Sequence, residues 1–171
     1  MKTIPIKRHP HILIMVDDED YEKLKDYTWR INKNREMVYA VRPVTKSEQL
    51  AKNYPASIKI HREIMGIADN KKLLVDHEDH NGLNNQKKNL RVCDGHQNQG
   101  NRRKLKTNTT SKYKGVFYNS TYSHWVAHIK QNGKRTILAR LGNEQDCALE
   151  YNKEAVKRFG EFAYLNIIKP F

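Results

Sequence analysis

Short apolar runs separated by polar stretches set the pattern of this chain. Residues 12–16 (ILIMV) are apolar and mostly β-branched between Pro10 and Asp17, which predicts a strand. Asp17 and Asp18 then stand where they would cap a short acidic helix over 19–27. Residues 37–41 predict a second strand ended by Pro43, and the polar stretch 45–56, which contains Pro55, predicts a loop. Across 57–67 apolar positions recur every second to fourth residue, which fits strand and helix alike, with a helix over 61–65 preferred. Residues 73–76 and 89–93 read as two short strands of a hairpin. The loop between them, 77–88, is rich in Asn, Asp and Gly. Asp94-Gly95-His96-Gln97 has capping-box spacing, so a helix should start there and run into the basic stretch 101–106.

The pattern changes after a small, polar segment at 106–112 (KTNTTSK), which reads as a linker. Residues 115–118, 125–130 and 135–141 are three strand candidates. Asn132-Gly133 lies between the second and third, and type I′ turns favour that pair because both central residues need positive φ. Asn143 should cap a helix over 144–159 whose Cys147, Ala148, Tyr151, Ala155 and Phe159 share one face, with Gly160 as its stop. Alternation puts Trp125, Ala127 and Ile129 against that helix and turns Val126, His128 and Lys130 outward. The expected fold class is α+β. A strand–loop–strand–helix module sits in a domain over 1–105, and a three-stranded antiparallel sheet with one helix forms a domain over 106–171, with the linker at about 104–112.

Charge sharpens this division. The 171 residues carry a net charge of +13, and the excess is uneven. Residues 1–100 hold 18 basic and 14 acidic residues, whereas 101–171 hold 14 and 5. A basic C-terminal part points to a polyanion partner, with nucleic acid the usual one. Cys93 and Cys147 form no CxxC pair and no disulfide framework, which suits a reducing compartment. The apolar run at 12–16 is too short for a signal-peptide core or a membrane span, so no membrane partner is expected.

The segment VDHEDHNGLNNQKKNLRVCDGHQNQGN carries the candidate chemistry. Phosphodiester hydrolysis needs a base to activate water, a cation to neutralise charge on the transition state, and a group that holds the base in orientation. Asp76 offers a carboxylate at a strand end, and Asn98 offers an amide oxygen one turn into the following helix. Hard divalent cations prefer such oxygen ligands. His77 projects to the other side of the strand, and an imidazole ordinarily titrates near neutral pH, which suits a general base. The Asn89 amide can bond backbone across the hairpin and fix the His77 loop. A calcium loop of EF-hand type is excluded by position: counted from Asp76, the sixth residue is Asn81 rather than Gly and the twelfth is Lys87. A zinc site remains a rival, because His77-x2-His80 and Cys93-x2-His96 have zinc-like spacing.

Residues 73–103 resemble the HNH (ββα-metal) endonucleases in their phage and intron-encoded homing form. The residues that carry the resemblance are Asp76-His77, Asn81-Gly82-Leu83-Asn84-Asn85, Asn89-Leu90-Arg91 and Gln97-Asn98, with His61-Arg62-x-Ile64-Met65-Gly66 upstream. The resemblance implies His77 as general base, Asn89 as orienting residue, Asp76 and Asn98 as ligands of one divalent metal, and a structural role for His61. The implied metal is Mg²⁺, with Mn²⁺ able to serve, and structural zinc is not expected.

Residues 111–166 resemble an AP2/ERF-type DNA-binding domain through Ser111-Lys112-Tyr113-Lys114-Gly115-Val116, Trp125-Val126-Ala127-His128-Ile129, Asn132-Gly133-Lys134-Arg135, Ala148-x-x-Tyr151-Asn152-x-x-Ala155 and Gly160-Glu161-Phe162-Ala163-Tyr164-Leu165-Asn166. That family lays its sheet in the DNA major groove, which implies contacts from Lys114, Phe117, Asn119, Val126, His128, Lys130, Arg135 and Ile137. Phe117 and Asn119 replace arginines of the plant-type members, and Ala139 replaces a glycine, so the plant sequence preference does not transfer. Arg102, Arg103, Lys104, Lys106 and Lys112 in and beside the linker could track phosphates or form a solvated tether.

Together these readings predict a metal-dependent DNA endonuclease of homing or mobile-element type. It would act on double-stranded DNA as a monomer or weak dimer, in the cytoplasm or nucleoid of a bacterial or phage-infected cell. The rival is a non-catalytic DNA-binding regulator with a degenerate or zinc-binding HNH-like module.

Overall fold

The computed structural model describes residues 1–34, 37–104 and 109–169. These form a mixed α+β structure with four small sheets and two compact units, Met1–Asp94 and Gly95–Phe171. The sequence put the domain junction at 105, which lies outside the described residues. Contacts divide instead after Asp94, because the short helix Gly95–Asn101 packs with the C-terminal elements.

In the first unit, β1 (Lys2–Ile6) and β2 (His9–Val16) form an antiparallel hairpin that pairs Ile4 with Ile14. α1 (Asp18–Leu24) follows, then β3 (Arg30–Asn34), β4 (Met37–Pro43), α2 (Lys46–Lys52) and β5 (Ser57–Lys59), with sheet order β3-β4-β5. α3 (Ile60–Ile64) leads to β6 (Leu74–His77), a single 3₁₀ turn at Lys87–Asn89 and β7 (Leu90–Cys93). Ile4, Ile6, Ile14, Val16, Leu24, Trp29, Ala40 and Ile60 make the core. Burying each of the larger ones contributes about 1.5–3 kcal/mol.

Several expectations change here. The strand at 12–16 is longer, and its partner β1 and the strand β3 were not foreseen. α1 ends at Leu24, before Tyr27. Asp17 occupies its N-cap position, yet the carboxylate makes no cap bond. It accepts instead from the backbone N–H of Lys87 at 2.8 Å and from Gln86 Nε2 at 3.2 Å. The loop expected over 45–56 contains α2. That helix buries no residue, so apolar periodicity does not reveal it. A capping box between Thr45 and Glu48 starts it.

The second unit holds α4 (Gly95–Asn101), β8 (Val116–Asn119), β9 (His124–Gln131), β10 (Lys134–Leu141), α5 (Glu144–Phe159) and a 3₁₀ turn at Gly160–Phe162. α4 stops at Asn101 and does not extend into the basic stretch, of which residues 105–108, Lys106 included, lie outside the described residues. The antiparallel sheet has order β10-β9-β8. Asn132 and Gly133 both have positive φ, at 50° and 76°, as the hairpin turn requires. Asn143 caps α5 by accepting from the Gln145 N–H at 2.7 Å. Cys147, Ala148, Tyr151, Ala155 and Phe159 are all buried. Gly115, at φ 74°, sits where a Cβ would collide with the Tyr151 ring. Asn152 and Asn166 exchange two hydrogen bonds, and Asn166 also bonds both backbone groups of Lys114, so these residues fasten the C-terminal segment.

Candidate functional site

The hairpin β6–β7 pairs Asp76 with Arg91 and His77 with Leu90. The loop between its strands is held from behind by the rest of the unit. Met15 of β2 donates its N–H to Leu83 O at 2.9 Å and accepts from Asn85 N–H at 2.8 Å. Leu83 packs on the core, and Asp17 grips Gln86 and Lys87. Gly82 lies so close to β4 that a Cβ would collide with the Val38 carbonyl and the Tyr39 ring.

Inside the loop, Asp79 is the hub. Its carboxylate accepts from the Asn81 N–H at 2.8 Å, from Asn84 Nδ2 at 2.7 Å and from Asn89 Nδ2 at 2.9 Å. Burial, the largest single influence, pushes this carboxyl up. The hydrogen bonds and the nearby His77 outweigh it and hold the group below the usual carboxylate range. Asn89 also accepts from the Asp79 N–H at 3.0 Å and donates to Asn84 O at 2.8 Å. Its amide therefore spans the hairpin and fixes the loop that follows His77.

His77 is only 3% exposed. Its Nε2 lies 3.3 Å from Oδ1 of the fully buried Asn85. With that amide oxygen accepting from Nε2–H, the imidazole lone pair resides on Nδ1. Its ring meets His61 edge-on at 4.9 Å and Tyr39 at 5.8 Å. Burial lowers the His77 pKa. Burial also brings His61 down to about 2, so His61 is a neutral packing partner. Asp76, 7% exposed, accepts from Arg91 at 2.6 Å. Sequence reasoning missed Asp79, Asn85, Arg91, Tyr39 and Asp17 as organisers of this site. Asp79 and Asn85 had a signal in the Asn/Asp-rich loop, whereas Asp17, at the start of α1, and Tyr39, on β4, come from distant parts of the chain.

Asn98 lies on α4 in the second unit and is partly exposed. Among the described residues, no group of three or more His, Cys, Asp and Glu side chains is arranged to hold a metal ion. Of the four zinc-spaced residues, Cys93 is buried and its thiol is pushed up to about 11, chiefly by burial. His96 Nε2 is hydrogen-bonded with Gln131. Asp76 and Asn98 are both oxygen donors, a set that suits a hard divalent cation. One oxygen of Asp76 is already shared with Arg91.

The candidate DNA-contacting residues of the second unit fall into two groups. Lys130 and Arg135 are exposed and directly paired across β9–β10, with His128 opposite Ile137. Phe117 stacks edge-on with His128 at 5.5 Å, and Asn119 ends β8 opposite His124. Arg140 pairs with Val126 in register, is exposed, and was missed by the sequence reading. Val126 is 3% exposed, so its position on the sheet is covered rather than open to solvent. Lys114 is tied inward. Its ammonium donates to Gly100 O at 2.6 Å, and burial brings it down to about 8. Lys104 likewise donates to the carbonyls of Ser111 and Tyr113. Arg102, Arg103 and Lys112 are exposed.

The chain is 35% identical over 124 residues to a protein of Acanthamoeba polyphaga mimivirus named "Uncharacterized HNH endonuclease L560". The match covers 67% of this chain and spans 63% of that relative's length. No protein-family profile matches the chain, and no solved structure matches it significantly. Among the described residues, no helix is long and apolar enough to cross a membrane.

Proposed function

We propose that the chain is a metal-dependent DNA endonuclease of the HNH class. The observation that carries this reading is the His77 environment: a buried imidazole oriented by Asn85, on a loop that Asn89 and Asp79 lock from across the hairpin. The similarity to a protein named as an HNH endonuclease supports it. Burial lowers the His77 pKa, which favours the neutral imidazole that a proton acceptor must be. Nδ1 takes a proton from water, the water oxygen bonds to phosphorus, and the bond from phosphorus to the leaving sugar oxygen breaks. That oxygen takes its proton from solvent. Asp76 would hold one divalent cation, Mg²⁺ or Mn²⁺, which supplies charge neutralisation at the transition state, with Asn98 the second ligand that the sequence resemblance implies. The second unit, in this reading an AP2/ERF-like module, binds double-stranded DNA through the sheet face bearing Lys130, Arg135 and Arg140.

A homing or mobile-element role fits the same chemistry, and one site per chain makes a nick the elementary product. Supercoiled plasmid incubated with Mg²⁺ should relax, and a chelator should stop the reaction. Persistent cutting in excess chelator would remove the metal from the scheme. A second reading rests on the Arg91–Asp76 pair. If the guanidinium keeps Asp76 from any cation, the chain is a DNA-binding regulator that never cuts. It predicts tight duplex binding without cleavage under every divalent metal.

A further inference from the structure

Lys59 closes β5, next to the start of α3, and its side chain is only partly exposed. Its ammonium sits over the Tyr39 ring, 4.5 Å from the centroid. The same ring lies 5.8 Å from His77 and 5.3 Å from His61. Among the described residues, the Lys59 ammonium makes no hydrogen bond and no ion pair, although its backbone pairs with Val41 in the sheet. The neighbouring charge that acts on it is another cation, Arg62, whose guanidinium is already committed to the carbonyls of Leu73, Ile67 and Asn70. Elsewhere in this unit the cations that leave solvent are satisfied by acceptors, Arg62 by those carbonyls and two others by carboxylates. Arg42, 3% exposed, takes both Glu48 and Glu63, and Arg91 takes Asp76. An ammonium drawn partly out of water without a counter-ion is costly, and a tyrosine face returns only part of that. Its own pKa is depressed by burial, then by Arg62, as expected for a cation with no anion beside it.

We propose that Lys59 is a phosphate-binding group of the cleavage site, and that its anionic partner is a phosphate of the bound DNA strand beside His77. The inference rests on the nuclease reading above and adds a residue to it. The Tyr39 ring places the ammonium on the His77 side of the loop. The missing carboxylate leaves it one strong interaction to make, with the substrate. A fixed cation at that place stabilises charge that grows on the phosphate as water attacks.

The test uses the full chain, wild type against Lys59→Gln, Lys59→Arg and His77→Ala, each first checked for an unchanged thermal transition. Duplex binding is measured by fluorescence anisotropy without metal over a series of salt concentrations. Lys59→Gln should lower the slope of log Kd against log salt by about one phosphate's worth. Its cleavage rate should fall about 100-fold, and Lys59→Arg should recover most of both. An unchanged slope and rate in Lys59→Gln, with cleavage abolished in His77→Ala, overturns the Lys59 assignment alone. A reduced slope in a wild-type chain that never cuts keeps the phosphate contact and overturns the nuclease reading. Should Lys59→Gln fail to fold, Lys59→Arg carries the test through Lys59→Met: loss of slope in Met but not in Arg supports the proposal, and equal slopes overturn it.

Discussion

The hairpins β6–β7 and β9–β10 are both antiparallel, yet they are closed in opposite ways. The second is closed by the two residues Asn132 and Gly133, whose backbone preference alone makes the turn. The first is closed by a long loop whose shape comes from side chains: Asp79 gathers Asn81, Asn84 and Asn89, and Asn85 is buried against His77. A local turn specifies where two strands meet. A polar network tied to β2, β4 and Asp17 also specifies where one imidazole points. The stability of the first hairpin is therefore coupled to whatever chemistry His77 performs, and that of the second is not.

The sharpest way to break this contrast is Asp79→Ala. It leaves the buried Asn89 amide with one acceptor fewer and removes the Asx turn in which Asp79 accepts from the Asn81 N–H, which should cost about 2–3 kcal/mol. Urea unfolding followed by the fluorescence of the buried Trp29 reads this loss, and cleavage should fall with it. Gly82→Ala drives a methyl into the Val38 carbonyl. It should cost about 2 kcal/mol in the same unfolding experiment and lower cleavage by displacing the loop from β4. Gly133→Ala forces a left-handed alanine into the other turn, at about 1 kcal/mol, and cleavage per bound complex should stay at the wild-type value.

The smallest effect is a pH dependence. The Arg42 hydrogen bonds, chiefly, hold Glu48 at about 2, well below its ordinary 4.5. A carboxyl depressed on folding contributes stability that is present above its ordinary pKa and lost as pH falls through the folded one. Denaturation midpoints of the wild type should therefore drop between about pH 4.5 and 2 by more than those of Glu48→Gln. Equal drops would show that this pair adds nothing to acid stability.

The same contrast explains what could be read without coordinates. β9, β10 and α5 follow from local signals: alternation, Asn132-Gly133, the Asn143 cap and five apolar residues on one helix face. The two strands of the β6–β7 hairpin were legible from their short apolar runs, and the bonding of Asn89 across it from its place at the far edge of the loop. β1 and β3 were not, since one contains Pro5 and the other is polar over most of its length. α2 has no apolar face, and its Thr45–Glu48 box was masked by the Pro55 reading. Tyr39 and Asp17 reach the His77 loop only through tertiary packing. Val126 shows the limit of alternation, because the pleat gives the side of a sheet and not what covers it.

His77 decides the central claim. Purified wild type and His77→Ala, matched for thermal transition and for duplex binding, should be compared on supercoiled plasmid with Mg²⁺. The account predicts nicking by the wild type and a loss of at least about 100-fold in His77→Ala. Equal nicking by both proteins would contradict it.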